Sequence, residues 1–338
     1  MKIIIPMAGR GSRLRPHTLT VPKPLLPVAG KPIVQRLVED IVGLYDGKVE
    51  EIAFVIGDFG KQVEQDLLEV AAGLGAKGHI FYQDEPLGTA HAIWMAESLM
   101  NDEIIIAFAD TLFRANFKLD RTKDGAIWVK RVEDPSAFGV VTLDDNGIIK
   151  ELVEKPTTFV SDMAIIGIYY IRDGAALRSE IKHIIDNDLK EKGEFQLTNA
   201  LENMKAKGAK FVPGTVDDWM DCGNKHAMLD TTKKILGYDT TDGKSLVSTD
   251  LTVLNSTVIP PCYIGPGVRI ENSVIGPNVS IGANSSISHS IVTESLIGAD
   301  TTVEYIVLNK SMIGNHSTIA HQSRNLDIGD YSRLKVNE

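Results

Sequence analysis

The residues with the types and spacing for chemistry begin in the first 38 positions. Lys2, Arg10, Arg13, Arg15, Lys23, Lys31 and Arg36 are cationic there, and no acid precedes Glu39, in a chain of formal charge −10. Several of these cations flank the loop Ala8-Gly9-Arg10-Gly11-Ser12-Arg13, which follows the apolar run Ile3-Ile4-Ile5 and Pro6. Gly9 and Gly11 let the backbone turn sharply and bring its N–H groups close to a ligand. Successive N–H groups in such a loop form an anion-binding concavity. A basic patch on a glycine loop, in a protein otherwise acidic, expects a polyanion.

Further polar residues stand where strands give way to loops. Gln83 to Ala90, QDEPLGTA, follows a strand and opens a helix. Asp110 ends the apolar run Ile104–Ala109, and Asp221 lies in Trp219-Met220-Asp221-Cys222-Gly223. A lone aspartate at a strand end is commonly a loop cap. A pair of them, with phosphate oxygens from a substrate, would also suffice for magnesium.

The opening loop fits neither of the common phosphate motifs. A Walker loop needs Gly-x4-Gly-Lys-Ser/Thr, and a dinucleotide fingerprint needs a third glycine where this chain has Leu14. The string Gly9-Arg10-Gly11-Ser12-Arg13-Leu14-x-Pro16-x-Thr18-x3-Pro22-Lys23-Pro24 closely resembles another signature, G-x-G-[ST]-R-L-x-P-x-T-x3-P-K. That signature belongs to the sugar-1-phosphate nucleotidylyltransferases, of the glucose-1-phosphate uridylyl- and thymidylyltransferase kind. Many members have a second glycine where this chain has Ala8, and alanine keeps the loop small.

The resemblance implies a set of roles. Ala8, Gly9, Arg10, Gly11 and Ser12 would cradle the nucleotide phosphates. Arg13 would hold the leaving β- and γ-phosphates, since a guanidinium suits a forked oxygen pair, and Lys23 would sit at the α-phosphate. Gln83, Gly88 and Thr89 match a Q-x4-G-[TL] loop that reads the nucleobase; Thr89 would equally serve as a helix cap. Asp110 and Asp221 match the positions that hold divalent magnesium, although many relatives have glycine where this chain has Ala109. Phe138-Gly139-Val140 and Glu154-Lys155-Pro156 imply a sugar contact at Gly139, a hydroxyl acceptor at Glu154 and a sugar-phosphate contact at Lys155. Tyr169 and Glu194 would line the same cleft. By itself Glu-Lys-Pro would read as a solvated turn.

These residues need a frame, and the apolar pattern supplies one. Ile3–Ile5, Ile52–Ile56, Ile80–Tyr82 and Ile104–Ala109 read as buried strands. Between them run amphipathic helices from Ile33 to Leu44, Lys61 to Ala72 and Ala90 to Leu99. Alternating strands and helices imply an α/β fold, a three-layer and mostly parallel sheet. Ligands of such sheets bind beyond the carboxyl ends of the strands, where the opening loop, Gln83 and Asp110 fall. From Ala126 the strands Ile127–Val132, Val140–Leu143, Ile148–Val153 and Ile165–Ile171 follow without a long helix, with a hairpin turn at Asp144–Gly147. They read as a substrate subdomain built onto the sheet. Helices at Ala175–Ile185, Leu197–Lys205 and Lys225–Leu236 follow, with a short strand near Phe211–Val212.

Beyond Gly237 the composition shifts to Ile, Val, Ser, Asn, Gly and Thr. Ile264, Ile270, Ile275, Ile281, Ile287, Val292, Ile297, Val303, Leu308, Ile313 and Ile319 recur every five or six residues. That is the hexapeptide signature of a short parallel β-helix; the resemblance implies a left-handed one. His289, His316 and His321 read as turn residues in it. The expected domains are a catalytic domain, 1–237, and a β-helix domain, 238–338.

Composition bounds the rest. At 43% hydrophobic the chain can bury a sizeable core. No run of 18 apolar residues suggests a membrane span, and the start shows no signal-peptide pattern. Cys222 and Cys262 make neither a disulfide framework nor a zinc site and fit a reducing cytoplasm. An acidic chain is a poor general nucleic-acid binder. The expectation is a cytoplasmic, magnesium-dependent homo-oligomer taking an NTP and a sugar-1-phosphate, with no nucleic-acid or membrane partner. UTP or dTTP is expected as the donor, with glucose-1-phosphate or N-acetylglucosamine-1-phosphate as the acceptor. Gln83 motivates the pyrimidine, because an amide answers the donor and acceptors of an imide edge. The alternatives are a mannose-1-phosphate guanylyltransferase, a bifunctional enzyme whose β-helix transfers acetyl groups, and a non-catalytic regulatory subunit.

Overall fold

The structure is a computed structural model and describes residues 1–9, 11–115 and 119–320. Contacts divide the chain into two units, Met1–Thr231 and Thr232–Glu338.

The first unit is built on a nine-stranded sheet. Its centre is the strand Lys2–Pro6, buried at every residue. Glu51–Ile56 and Ile104–Ala107 pair with it in parallel, and Lys77–Tyr82 extends the parallel half beyond Glu51–Ile56. Apolar runs without alternation are what such strands need, because both faces are covered. On one face Ile4, Ala53, Val55, Ile104 and Ile106 share a core with Ala90, Ile93, Leu177, Ile181 and Leu201. On the other, Ile41 of the helix Ile33–Gly43 meets Ile105 and Ile168. Leu68 and Ala71 of the helix Lys61–Gly73 lie over Gly78. These are the three expected layers.

The other half of the sheet is largely antiparallel. Met163–Ile171 runs against Ile104–Ala107 and carries Gly125–Arg131 and Val140–Leu143 on its far side. Val140–Leu143 and Ile149–Val153 form the hairpin expected around Asp144–Gly147. Gly147 turns at φ 75°, and Asp144 Oδ1 accepts from the N–H groups of Asn146 and Ile148.

Several boundaries differ from the sequence reading, three of them as follows. The third helix spans only Thr89–Trp94 and tightens into a 3₁₀ turn at Glu97–Leu99. The strand ending at Tyr82 begins at Lys77, where pairing with Glu51–Ile56 overrides the weak strand preference of Lys77 and Gly78. The helix from Lys225 runs through Gly237 to Thr241. An isolated glycine lowers helix preference without ending the helix, and Thr240 and Thr241 donate their hydroxyls back to the carbonyls of Leu236 and Gly237.

The second unit is a parallel β-helix. Its short strands stack into three parallel sheets. The recurring apolar residues fall in vertical columns: Ile264, Ile281, Ile297 and Ile313 in one, Ile270, Ile287, Val303 and Ile319 in another, Ile275, Val292 and Leu308 in the third. The register fits the left-handed hexapeptide form. One corner is held by a ladder in which Ser256, Ser273 and Ser290 hydroxyls accept from the N–H groups of Ser273, Ser290 and Ile306. His289 and His316 occupy left-handed turn positions at φ 49° and 52°. His321 lies outside the described residues. Among the described residues no helix is long and apolar enough to cross a membrane.

Candidate active site

Because the four strands of the parallel half run the same way, their carboxyl ends open along one edge. Met7 N–H donates to Val55 O and Gln83 N–H to Ile56 O, each at 2.8 Å. The opening loop and the Gln83 loop therefore leave the sheet side by side.

The opening loop folds into three 3₁₀ turns, Ser12–Leu14, His17–Leu19 and Lys23–Leu25. Leu14 anchors it, 2% exposed. Gly11 takes φ 64°, and a Cβ there would lie 2.7 Å from Lys23 Cβ. Glycine is thus required for both backbone and space. Thr18 Oγ1 donates to Gly11 O at 2.8 Å and closes the loop. Among the described residues the N–H groups of Gly9, Gly11 and Ser12 have no partner. They remain free for an anion. Arg10 lies outside the described residues.

Lys23 reaches back under this loop. It is 7% exposed, and its Nζ lies 3.4 Å from Asp110 Oδ2. Asp221 comes to the same place from a two-stranded antiparallel sheet in which Asp218–Asp221 pairs with Thr111–Arg114, setting Asp221 opposite Thr111. Cys222 N–H then donates to Asp110 O at 3.0 Å, and Gly223 N–H to Asp221 Oδ1 at 2.9 Å. Arg13 lies over this turn: Arg13 Nη2 and the Asp221 carboxylate lie 3.4 and 3.0 Å from the point where a Gly223 Cβ would sit. Thr231 Oγ1 fixes the strand end by donating to Asp221 O at 2.7 Å. Burial pushes the Cys222 thiol up to about 12, so it stays protonated. Arg13, Lys23, Asp110 and Asp221, scattered in sequence, are thus one cluster.

The Gln83 loop is clamped from below. Gly88 sits at φ 117°, and a Cβ there would lie 2.5 Å from Phe195 O and 2.7 Å from Phe195 N. Phe195 N–H donates to Leu87 O, and Ala90 N–H to Phe195 O. Thr89 does not cap its own helix. Its hydroxyl donates to Gln196 Oε1 at 3.3 Å and accepts from Leu197 N–H at 2.9 Å.

The second subdomain brings the remaining residues together. Glu154 Oε2 lies 3.1 Å from where a Gly139 Cβ would project. Lys155, at φ 43°, sets its Nζ 3.7 Å from Glu154 Oε1. Burial raises the pKa of Glu154, and the neighbouring Lys155 opposes it. Tyr169 is buried beside Glu154, edge-on to Phe108 at 6.3 Å. Glu194 accepts from Gln196 Nε2 at 3.1 Å, next to Gly88.

Sequence reasoning missed Lys192. Its ammonium donates to Glu154 O at 3.1 Å and Lys155 O at 2.8 Å, holding the strained Lys155 turn. Its segment also carries Phe195, so one stretch of chain supports both the Gln83 loop and the Glu154-Lys155 turn. Nothing in the local sequence marks that bridge. His91, paired with Gln83, was likewise unmarked.

The donor set suits a hard divalent cation. Asp110 and Asp221 lie at strand ends tied by the Cys222 N–H bond to Asp110 O, with Asp110 half exposed, and no group of three metal-ligating side chains occurs among the described residues. Such a site leaves the remaining positions to water and phosphate oxygens, as magnesium prefers.

Comparison with known proteins shows the family. Residues 2–237 match the nucleotidyl transferase family. The chain is 30% identical, over 88% of its length and 87% of the relative's, to a glucose-1-phosphate thymidylyltransferase of Streptomyces antibioticus. It is also 30% identical, over 83% of its length and 71% of the relative's, to the mannose-1-phosphate guanylyltransferase catalytic subunit beta of Drosophila melanogaster. The crystal structure of a UDP-glucose pyrophosphorylase complexed with UDP-glucose shares the fold, with a TM-score of 0.59 at 22% identity over 70% of this chain and 98% of that one.

Proposed function

The chain belongs to the nucleotidyl transferase family, and we propose that it transfers a nucleotidyl group from UTP or dTTP to glucose-1-phosphate or N-acetylglucosamine-1-phosphate. The sugar-phosphate oxygen attacks the α-phosphorus in line. The bond from that phosphorus to the β-phosphate oxygen breaks, and pyrophosphate leaves. The nucleophile is already an anion, so no general base is required. Catalysis is then positioning and neutralisation of charge.

The observation that carries this reading is the cluster of Arg13, Lys23, Asp110 and Asp221 against the free N–H groups of the glycine loop. Ala8, Gly9, Arg10, Gly11 and Ser12 cradle the triphosphate in this scheme, and Arg13 grips its β- and γ-phosphates. Lys23 attends the α-phosphate. Gln83, Gly88 and the main chain at Thr89 contact the base. Gly139, Glu154 and Tyr169 receive the sugar, and Lys155 its phosphate. Asp110 and Asp221 would hold Mg2+, which supplies positive charge against the phosphates.

Transfer is assigned to residues 1–237 and homo-oligomeric assembly to the β-helix, 238–338. Both substrates are phosphorylated metabolites, which places the work in the cytoplasm. The test crosses five nucleotides with glucose-, N-acetylglucosamine-, galactose- and mannose-1-phosphate and reads pyrophosphate release. A pyrimidine with a gluco-configured sugar is expected to lead. GTP with mannose-1-phosphate in the lead would replace this pair by the one named in the Drosophila relative.

A further inference from the structure

Gln83 and His91 form a pair whose chemistry admits one arrangement. The Gln83 side-chain nitrogen lies 3.2 Å from Gly88 O and 3.1 Å from His91 Nδ1. A carbonyl only accepts, so the amide atom facing Gly88 is the NH2 group. An amide nitrogen only donates, so the ring nitrogen beside it carries a lone pair. His91 is therefore neutral, with its proton on Nε2. Both amide hydrogens are engaged within the protein. Among the described residues the Gln83 carbonyl oxygen has no partner.

We propose that His91 is a positioning residue for base selection: by accepting from Gln83 it fixes the amide with its carbonyl oxygen toward the nucleobase. The proposal rests on the reading of residues 83–89 as the nucleobase loop. An oxygen so fixed takes the N3–H of an imide base. Cytosine offers a lone pair at the same atom, and two acceptors face each other. Discrimination of roughly ten- to hundredfold follows from leaving such groups unpaired.

Protonation of His91 would break the arrangement. The Nδ1–H would then confront the amide NH2. Turning the amide over would set its oxygen against Gly88 O instead. Neither orientation satisfies both neighbours. Burial holds the His91 pKa below its usual 6.5. Glu85, in the same loop, is the charged group whose field reaches the ring among the described residues, and it acts the other way. Neutral solution therefore keeps the lone pair in place.

The test compares kcat/KM for UTP and CTP, with the same sugar-1-phosphate, at pH 8 and pH 5.5. Triphosphate and sugar-phosphate ionisation are common to both nucleotides and cancel in the ratio. The full chain is used as wild type, His91→Asn and His91→Leu. Asparagine places an acceptor oxygen where Nδ1 stands but does not titrate. In the wild type the UTP:CTP ratio is expected to fall about two- to fivefold on acidification to pH 5.5, because burial leaves His91 only partly protonated there. His91→Asn should keep the pH 8 ratio at both values, and titration of cytosine itself would appear there too. His91→Leu should show a low ratio at both. If the leucine variant does not fold, the comparison of wild type with asparagine decides. A wild-type ratio that does not move with pH, or moves equally in the asparagine variant, overturns the role of His91. Equal turnover of all bases in every form, or none, overturns instead the nucleobase-loop reading beneath it.

Discussion

Lys23 Nζ lies 3.4 Å from Asp110 Oδ2, and the two partners are unequally buried, with side-chain exposures of 9% and 52%. The lysine is held under the glycine loop, while the carboxylate opens to solvent where a nucleotide and its metal would arrive. Asp110→Asn and Asp221→Asn should each lower kcat by at least about a hundredfold. Because Lys23 is buried, Asp110→Asn leaves its ammonium without that carboxylate, and a loss of about 1–3 kcal/mol in stability is expected. Magnesium titrations of turnover, with melts alongside, check this. Wild-type magnesium-dependent rates in both variants would remove the metal assignment.

Gly88→Ala should damage both fold and function. Its φ of 117° is unfavourable for a side chain, and the new Cβ would meet Phe195 backbone atoms at 2.5 and 2.7 Å. Backbone cannot swing aside, so a loss above about 2 kcal/mol is expected, with a raised KM for the nucleotide. Gly147→Ala is the control. It has φ 75° but open space, and should cost about 1–2 kcal/mol with kinetics unchanged. Urea melts of the two variants check the difference; equal losses would contradict it.

Glu154 gives a pH prediction with a definite sign. Burial raises its pKa above the ordinary 4.5 in the folded protein. The native state thus binds this proton more tightly than the unfolded chain. Its stabilising contribution is present below the ordinary value and is lost as pH rises through the folded value. Glu154→Gln should therefore be at least as stable as wild type at pH 7. A hydrogen bond to a charged acceptor is worth about 1.5–3 kcal/mol, so KM for the sugar-1-phosphate should rise about ten- to hundredfold. A destabilised variant with unchanged KM would reverse the assignment.

Every residue assigned to transfer precedes the β-helix. A chain ended after Thr241 keeps the whole of the helix Lys225–Thr241, including Thr231, which ties Asp221 in place. It should retain measurable pyrophosphate release and lose native mass by light scattering. An unchanged oligomer mass would refute assembly through the β-helix.

The parts legible in sequence were those written contiguously. The opening loop could be read because Gly9 to Lys23 lie in one string. The β-helix could be read because its apolar residues recur every five or six positions. Lys192 could not, because its partners are the carbonyls of Glu154 and Lys155, and backbone acceptors leave no trace in residue type. The approach of Phe195 to Gly88 was hidden for the same reason: the glycine was visible, but not what it made room for. His91 looked like one more residue of a short helix, since its pairing with Gln83 depends on how Gly88 turns the chain back. The helix ending at Thr241 runs past Gly237 because one interior glycine costs only about 1 kcal/mol, so a shift in composition there does not mark the helix end.

The central claim is nucleotidyl transfer at the Lys23–Asp110 cluster. The most direct measurement incubates the protein and magnesium with UTP or dTTP and glucose-1-phosphate or N-acetylglucosamine-1-phosphate, and quantifies NDP-sugar and pyrophosphate together. Wild type should form them one to one, and Lys23→Ala, verified as folded by circular dichroism, should form at least about a hundredfold less per unit time. Pyrophosphate without NDP-sugar, no product from any pair, or equal rates in the folded Lys23→Ala variant would contradict the account.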